Sequence, residues 1–94
     1  MTSRQPVIPH TIRIEGTFDR VAAAALRVQL VDCEASEIVI DFAAAGDVQD
    51  LGLAALVQGL KLAARPRVAI RGLSRHHGRM LKYLGLDVRP GVSF

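Results

Sequence analysis

Residues 38–56, IVIDFAAAGDVQDLGLAAL, constrain this chain more than any other stretch. An apolar run ends at Asp41, a loop of small residues follows, and a helix with almost no polar positions begins at Leu51. Drawn at about 100° per residue, Leu53, Leu56, Val57, Leu60, Ala63 and Ala64 share one face. Leu51, Ala55, Gln58 and Leu62 line the opposite one. The first face is that of a helix packed on a core. The second should be polar on a surface helix and is not, which marks it as a candidate contact surface. The competing reading is that another part of the chain, such as the segment holding Val7 and Ile8, covers it.

The remaining pattern alternates strands with helices. Residues 11–15 (TIRIE) alternate as a half-buried strand that stops at Gly16. A shorter strand near Val7 and Ile8 would be confined to a sheet edge by Pro6 and Pro9. Asp19 is placed to cap an Ala-rich helix running to about Val31. The second strand spans residues 37–42, and its unbroken Ile38, Val39 and Ile40 predict burial on both faces. Asp50, one residue before the next helix, reads as its N-cap. Pro66 breaks the chain, residues 68–71 form a third strand, and Ser74 caps a last helix that Gly85 ends. The apolar side of that helix is Leu73, His77, Met80, Leu81 and Leu84. This order is that of a right-handed α/β unit with parallel neighbouring strands.

Ninety-four residues suffice for one domain with a single core. Aromatic residues make up only 4% and tryptophan is absent, so Leu, Val, Ile and Ala must fill that core. The single cysteine, Cys33, has no partner for an internal disulfide and fits a reducing compartment. The first ten residues lack the apolar region of a secretion signal, and no run reaches the roughly 18 apolar residues of a membrane span, so the expected location is cytoplasmic. Charge is uneven. Residues 1–64 carry five bases against eight acids, a balance of −3, while residues 65–94 carry seven bases against one acid, a balance of +6. Arg75, Arg79 and Lys82 form a basic stripe along the last helix, suited to an acidic protein, a phosphate or an anionic membrane, or simply a solvated face. Nucleic acid is not the expected partner, because no binding motif accompanies the stripe and Tyr83 is the only nearby aromatic.

Enzyme motifs are missing. Gly46 and Gly52 flank DVQDL, but this is neither a P-loop nor a dinucleotide fingerprint. Asp47 and Asp50 would serve as an acid/base or nucleotide-binding pair only with a nucleophile or cofactor motif beside them, and none is there. His76 and His77 are adjacent, so a helix points them about 100° apart and they are not expected to chelate a metal together. His77 falls on the apolar side as a packing residue and His76 on the exposed side. No catalytic residue, cofactor or metal is expected.

Three segments carry a resemblance. GTFD (residues 16–19) is similar to a Gly-x-apolar-Asp element before a first helix, residues 38–56 fit a strand, loop and Asp-Ser-Ser-Gly-Leu helix start without a gap, and MLKYLGLD is similar to a last helix ending in Gly-Leu. In this order and spacing, over about residues 12–87, the chain resembles the STAS family of anti-sigma-factor antagonists and sulphate-transporter cytoplasmic domains. The resemblance implies one STAS-like α/β domain over residues 1–94, core about 11–88, with a mostly parallel four-stranded sheet and three to four helices.

It also implies a docking surface. In the family, the start of the second helix and its neighbouring loops meet a partner protein, which here points to Asp47, Gln49, Asp50, Leu51, Gly52, Ala55, Gln58 and Leu62. The family's Asp falls on Gln49, its first Ser on Asp50, its second Ser on Leu51, and its Gly and Leu on Gly52 and Leu53. The second serine is the one a partner kinase phosphorylates, adding about −1.5 to −2 of charge. Leu51 has no hydroxyl, and Asp50 supplies one permanent carboxylate beside it. The expected function is therefore a non-catalytic interaction module that serine phosphorylation does not switch, docking on an anti-sigma kinase, a signalling scaffold or a second copy of itself. One alternative is an accessory subunit of a lipid-transporting ABC system that binds its ATPase; the other is a nucleotide-binding protein or enzyme using Asp47 and Asp50.

Overall fold

The computed structural model describes residues 10–33, 37–62, 67–84 and 92–93. In chain order the elements are β1 (His10–Arg13), β2 (Gly16–Phe18), α1 (Arg20–Asp32), β3 (Glu37–Asp41), β4 (Ala45–Val48), α2 (Asp50–Leu62), β5 (Arg67–Arg71), α3 (Arg75–Tyr83) and β6 (Val92–Ser93). The strands divide between two sheets, which corrects the expectation of a single four-stranded one. The larger runs β1-β3-β5, with the two-residue β6 added beside β5, and the smaller pairs β2 with β4. Every pairing among the described residues is parallel. The segment around Val7 and Ile8, Gly85, and the side chains of Leu62, Ala63 and Ala64 lie outside the described residues.

Register builds the core floor. Ile12 lies opposite Ile40, Ile40 opposite Ile70, and Ile38 opposite Val68, so one row of branched side chains crosses three strands. All five are buried. The two-residue side-chain period turns Val39 to the opposite face, where it is only half-buried. The expectation that β3 is buried on both faces is thus corrected: among the described residues only the face of Ile38 and Ile40 is fully covered. Ile38 and Ile40 are 1% and 0% exposed, as an alternating strand requires.

The helices follow from capping and periodicity. Asp19 caps α1 as expected, its carboxylate accepting the Ala22 N–H at 2.9 Å. Ala23, Leu26 and Leu30 then face inward at i, i+3 and i+7. On α2, Leu53, Leu56, Val57 and Leu60 are buried as expected. Asp50 is already the first helical residue; the carbonyl of Gln49 accepts the Leu53 N–H at 3.1 Å, so the cap position belongs to Gln49. Ser74 caps α3, its hydroxyl accepting the His77 N–H at 3.2 Å, and Leu81 is fully buried. Helix α2 packs against both α1 and α3. Lys61 Nζ also donates to the Leu84 carbonyl at 2.6 Å, joining the far ends of α2 and α3. Phe18 and Phe42 meet edge to face with centroids 5.0 Å apart, filling the junction between the two sheets.

Candidate docking site at the start of α2

The path from β3 into α2 is fixed almost entirely by backbone contacts. Asp41 ends β3 and accepts the Ala43 N–H at 2.9 Å, which starts the turn, and the Phe42 carbonyl accepts the Ala45 N–H at 3.0 Å. The Ala43 N–H holds the Asp41 carboxyl below its ordinary range; partial burial opposes this, and Arg71, 3.3 Å away on β5, and Arg13 reinforce it. Gly72, at φ +83°, continues β5 past this turn. A Cβ there would stand 2.5 Å from the Ala43 nitrogen, so the approach admits only glycine.

β4 then leads into the helix start. The Gln49 N–H donates to the Phe18 carbonyl at 2.9 Å, tying the entrance of α2 to the end of β2. Gly52, one turn in, lies against the same backbone. A Cβ built on it would fall 2.7 Å from the Phe18 oxygen and 3.0 Å from both the carbon and oxygen of Asp19. The starts of α1 and α2 are therefore locked together, and the motif glycine at position 52 has a steric reason.

On this platform the candidate residues separate. Asp47, Gln49, Asp50, Leu51 and Gln58 are exposed, and Leu51 keeps 64% of its surface in solvent. Ala55 is different. It is half-buried and packed on the core, because α2 has a helix on either side and more than one of its stripes is covered. The apolar surface at the helix start is therefore narrower than the periodicity suggested, with Leu51 as its projecting member. Helix α1 adds exposed apolar residues that the sequence reading passed over: Val21, Val28 and Val31, 77%, 60% and 65% exposed, at i, i+7 and i+10. Their spacing in an Ala-rich helix was the available signal.

A second correction concerns the histidines. Although the helix directs their Cα–Cβ bonds apart, the His76 and His77 rings stand with centroids 5.2 Å apart, and both Nε2 atoms face the carboxylate of Asp50, at 3.9 and 3.7 Å. His77 is 18% exposed and His76 75%, in keeping with their expected inner and outer positions. Arg75, Arg79 and Lys82 are exposed, and an open groove runs beside Arg79, Lys82 and Tyr83. Among the described residues no acid pairs with these three bases. No helix among the described residues is long and apolar enough to cross a membrane.

No curated protein matches the chain. The family described as "Mlab, STAS domain" matches residues 1–92, and the chain belongs to that family.

Proposed function

We propose that this STAS domain is a non-catalytic docking module whose partner seats on the start of α2, with Leu51 as the apolar anchor and Asp47, Gln49, Asp50 and Gln58 as its polar surround. The observation that carries this reading is the exposure of Leu51 on a helix start whose backbone is fixed by Gly52 against Phe18 and Asp19. A leucine left in solvent on a rigid platform has burial free energy in reserve, on the order of 1.5–3 kcal/mol once a partner covers it. Preorganisation of the platform limits what binding must spend on ordering.

The partner is a regulatory protein in the anti-sigma or signalling-scaffold class, and the module is not switched by phosphorylation at the usual position. Residues 42–62 contain no Ser, Thr or Tyr at all, so no hydroxyl is present on the turn, β4 or α2 to accept a phosphate. Asp50 instead provides a permanent single charge there. A second reading is favoured by the family's description, which carries the name Mlab rather than that of an antagonist: an accessory subunit bound to the ATPase of a lipid-transporting ABC system.

An affinity pull-down from the native cell extract, with wild type and Leu51→Asp in parallel, tests the docking site. A kinase-like or scaffold partner captured by wild type and lost with Leu51→Asp, whose circular dichroism matches wild type, supports the first reading. An ATPase recovered from the membrane fraction supports the second. Equal capture by both proteins rejects the start of α2 as the interface.

A further inference from the structure

We infer that Asp50, His76 and His77 form a binding site for a divalent transition-metal ion of the zinc class, joining the starts of α2 and α3. The three side chains each present one ligand atom, and these atoms lie within 4.8 Å of one another. The inference rests on the isolated chain and needs no docking partner.

The geometry is that of ligands around a shared ion. The two carboxylate-to-imidazole separations, 3.7 and 3.9 Å, are too long for direct hydrogen bonds. Two ligands each about 2.1 Å from zinc stand about 3.4 Å apart at a tetrahedral angle and about 4.2 Å at most, so both separations fall in the span that one ion bridges. The wider gap between the two histidines closes by rotation of His76, whose side chain is 75% exposed and free to turn.

The surroundings of His77 fit the role. Its Nδ1 lies 3.0 Å from the Ser74 hydroxyl oxygen. With the proton on Nδ1 donated to that oxygen, the Nε2 lone pair faces Asp50. Metal-binding histidines are commonly held by such an outer hydrogen bond, which fixes both tautomer and ring angle. Ser74 is itself anchored as the cap of α3, so the inner ligand is oriented by backbone. Asp50, for its part, has no Lys or Arg within 4 Å among the described residues to claim its charge.

Two imidazoles and one carboxylate select zinc, nickel or copper over magnesium or calcium, which prefer oxygen donors throughout. Three protein ligands leave at least one position for water or an incoming side chain. The positive ends of α2 and α3 both face the site and oppose a cation, which weakens the binding of any ion held there.

Calorimetric titration of zinc chloride into the untagged full chain tests the site, with magnesium chloride as the comparison ion. One zinc per chain is expected, with no saturable magnesium binding. His77→Ala and Asp50→Asn should each weaken zinc at least tenfold, and Ser74→Ala about 10–100-fold through loss of the outer hydrogen bond. Asp50→Asn is decisive if His77→Ala perturbs folding, because the Asp50 side chain is 65% exposed and removes no packing. Cobalt substitution adds a visible spectrum of tetrahedral type in wild type that Asp50→Asn abolishes. No saturable zinc binding up to millimolar concentration, binding indifferent to Asp50→Asn, or binding lost instead with Cys33→Ser would each overturn the assignment.

Discussion

Replacing Gly52 by alanine tests whether the start of α2 is locked to the preceding strand and helix. The added methyl would stand 2.7 Å from the Phe18 oxygen and 3.0 Å from two Asp19 backbone atoms. None of these can rotate aside as a side-chain tip would, so the helix start or the β2–α1 junction must move. Overpacking of this kind costs about 1–3 kcal/mol, and atoms this rigid put the cost in the upper half of that range. Alanine returns about 0.5–1 kcal/mol of helix propensity, leaving a net loss of about 1–2.5 kcal/mol. For a domain this small that lowers Tm by roughly 4–20 °C. Gly59→Ala is the matched control on the same helix. Its methyl would meet only the Arg27 side chain, at 3.7 Å, so the propensity gain survives and the domain should become more stable by about 0.5–1 kcal/mol. Urea unfolding followed by circular dichroism reads both variants, with the midpoint moving and the slope constant. Equal or greater stability for Gly52→Ala, with Gly59→Ala stabilised as expected, would refute the lock.

Two further predictions concern the sheet. The Asp41 carboxyl is depressed in the folded state, chiefly by the Ala43 N–H and then by Arg71, so its contribution is present above the unfolded carboxylate pKa of about 3.9 and is lost as pH falls through the lower folded value; Asp41→Asn should therefore destabilise the domain at neutral pH and flatten the loss of stability measured by thermal melts on acidification below pH about 4. A wild-type acid profile unchanged by the substitution would contradict the assignment. Phe18→Ala removes a fully buried ring and its edge-to-face partner contact with Phe42, and should cost about 3–5 kcal/mol by urea denaturation; a cost under about 1 kcal/mol would mean that the junction collapses around the gap.

Much of the fold is legible where periodicity is strong. The apolar run of β3, the 3.6-residue spacing of Leu53, Leu56, Val57 and Leu60, and the capping positions of Asp19 and Ser74 each appear in the structure as the sequence predicts. The smaller sheet was not legible. Gly16–Phe18 and Ala45–Val48 are three and four residues long, two of them glycines, and carry no clean alternation; only their pairing with each other makes them strands. Ala55 was misplaced because a helical wheel assumes one packed face, whereas α2 has helices on two sides. The approach of both histidines to Asp50 was not legible for a related reason. A wheel drawn for one helix fixes the Cα–Cβ directions of His76 and His77 but contains neither their side-chain rotations nor Asp50, which arrives from another helix nearly thirty residues earlier in the chain.

The parallel pairing of the described strands governs how the chain reaches this state. A hairpin can zip from its turn, but here register joins His10 to Ile38, Gly16 to Ala45, Glu37 to Arg67 and Val68 to Val92. Each strand waits for a partner that arrives only after an intervening helix. Loop closure precedes any ladder bond, so refolding belongs to the slower, milliseconds-to-seconds end of the range for small domains. During synthesis, a nascent chain ending before Arg67 holds β3 with one edge still unpaired, and the larger sheet gains its central pairing only when β5 emerges.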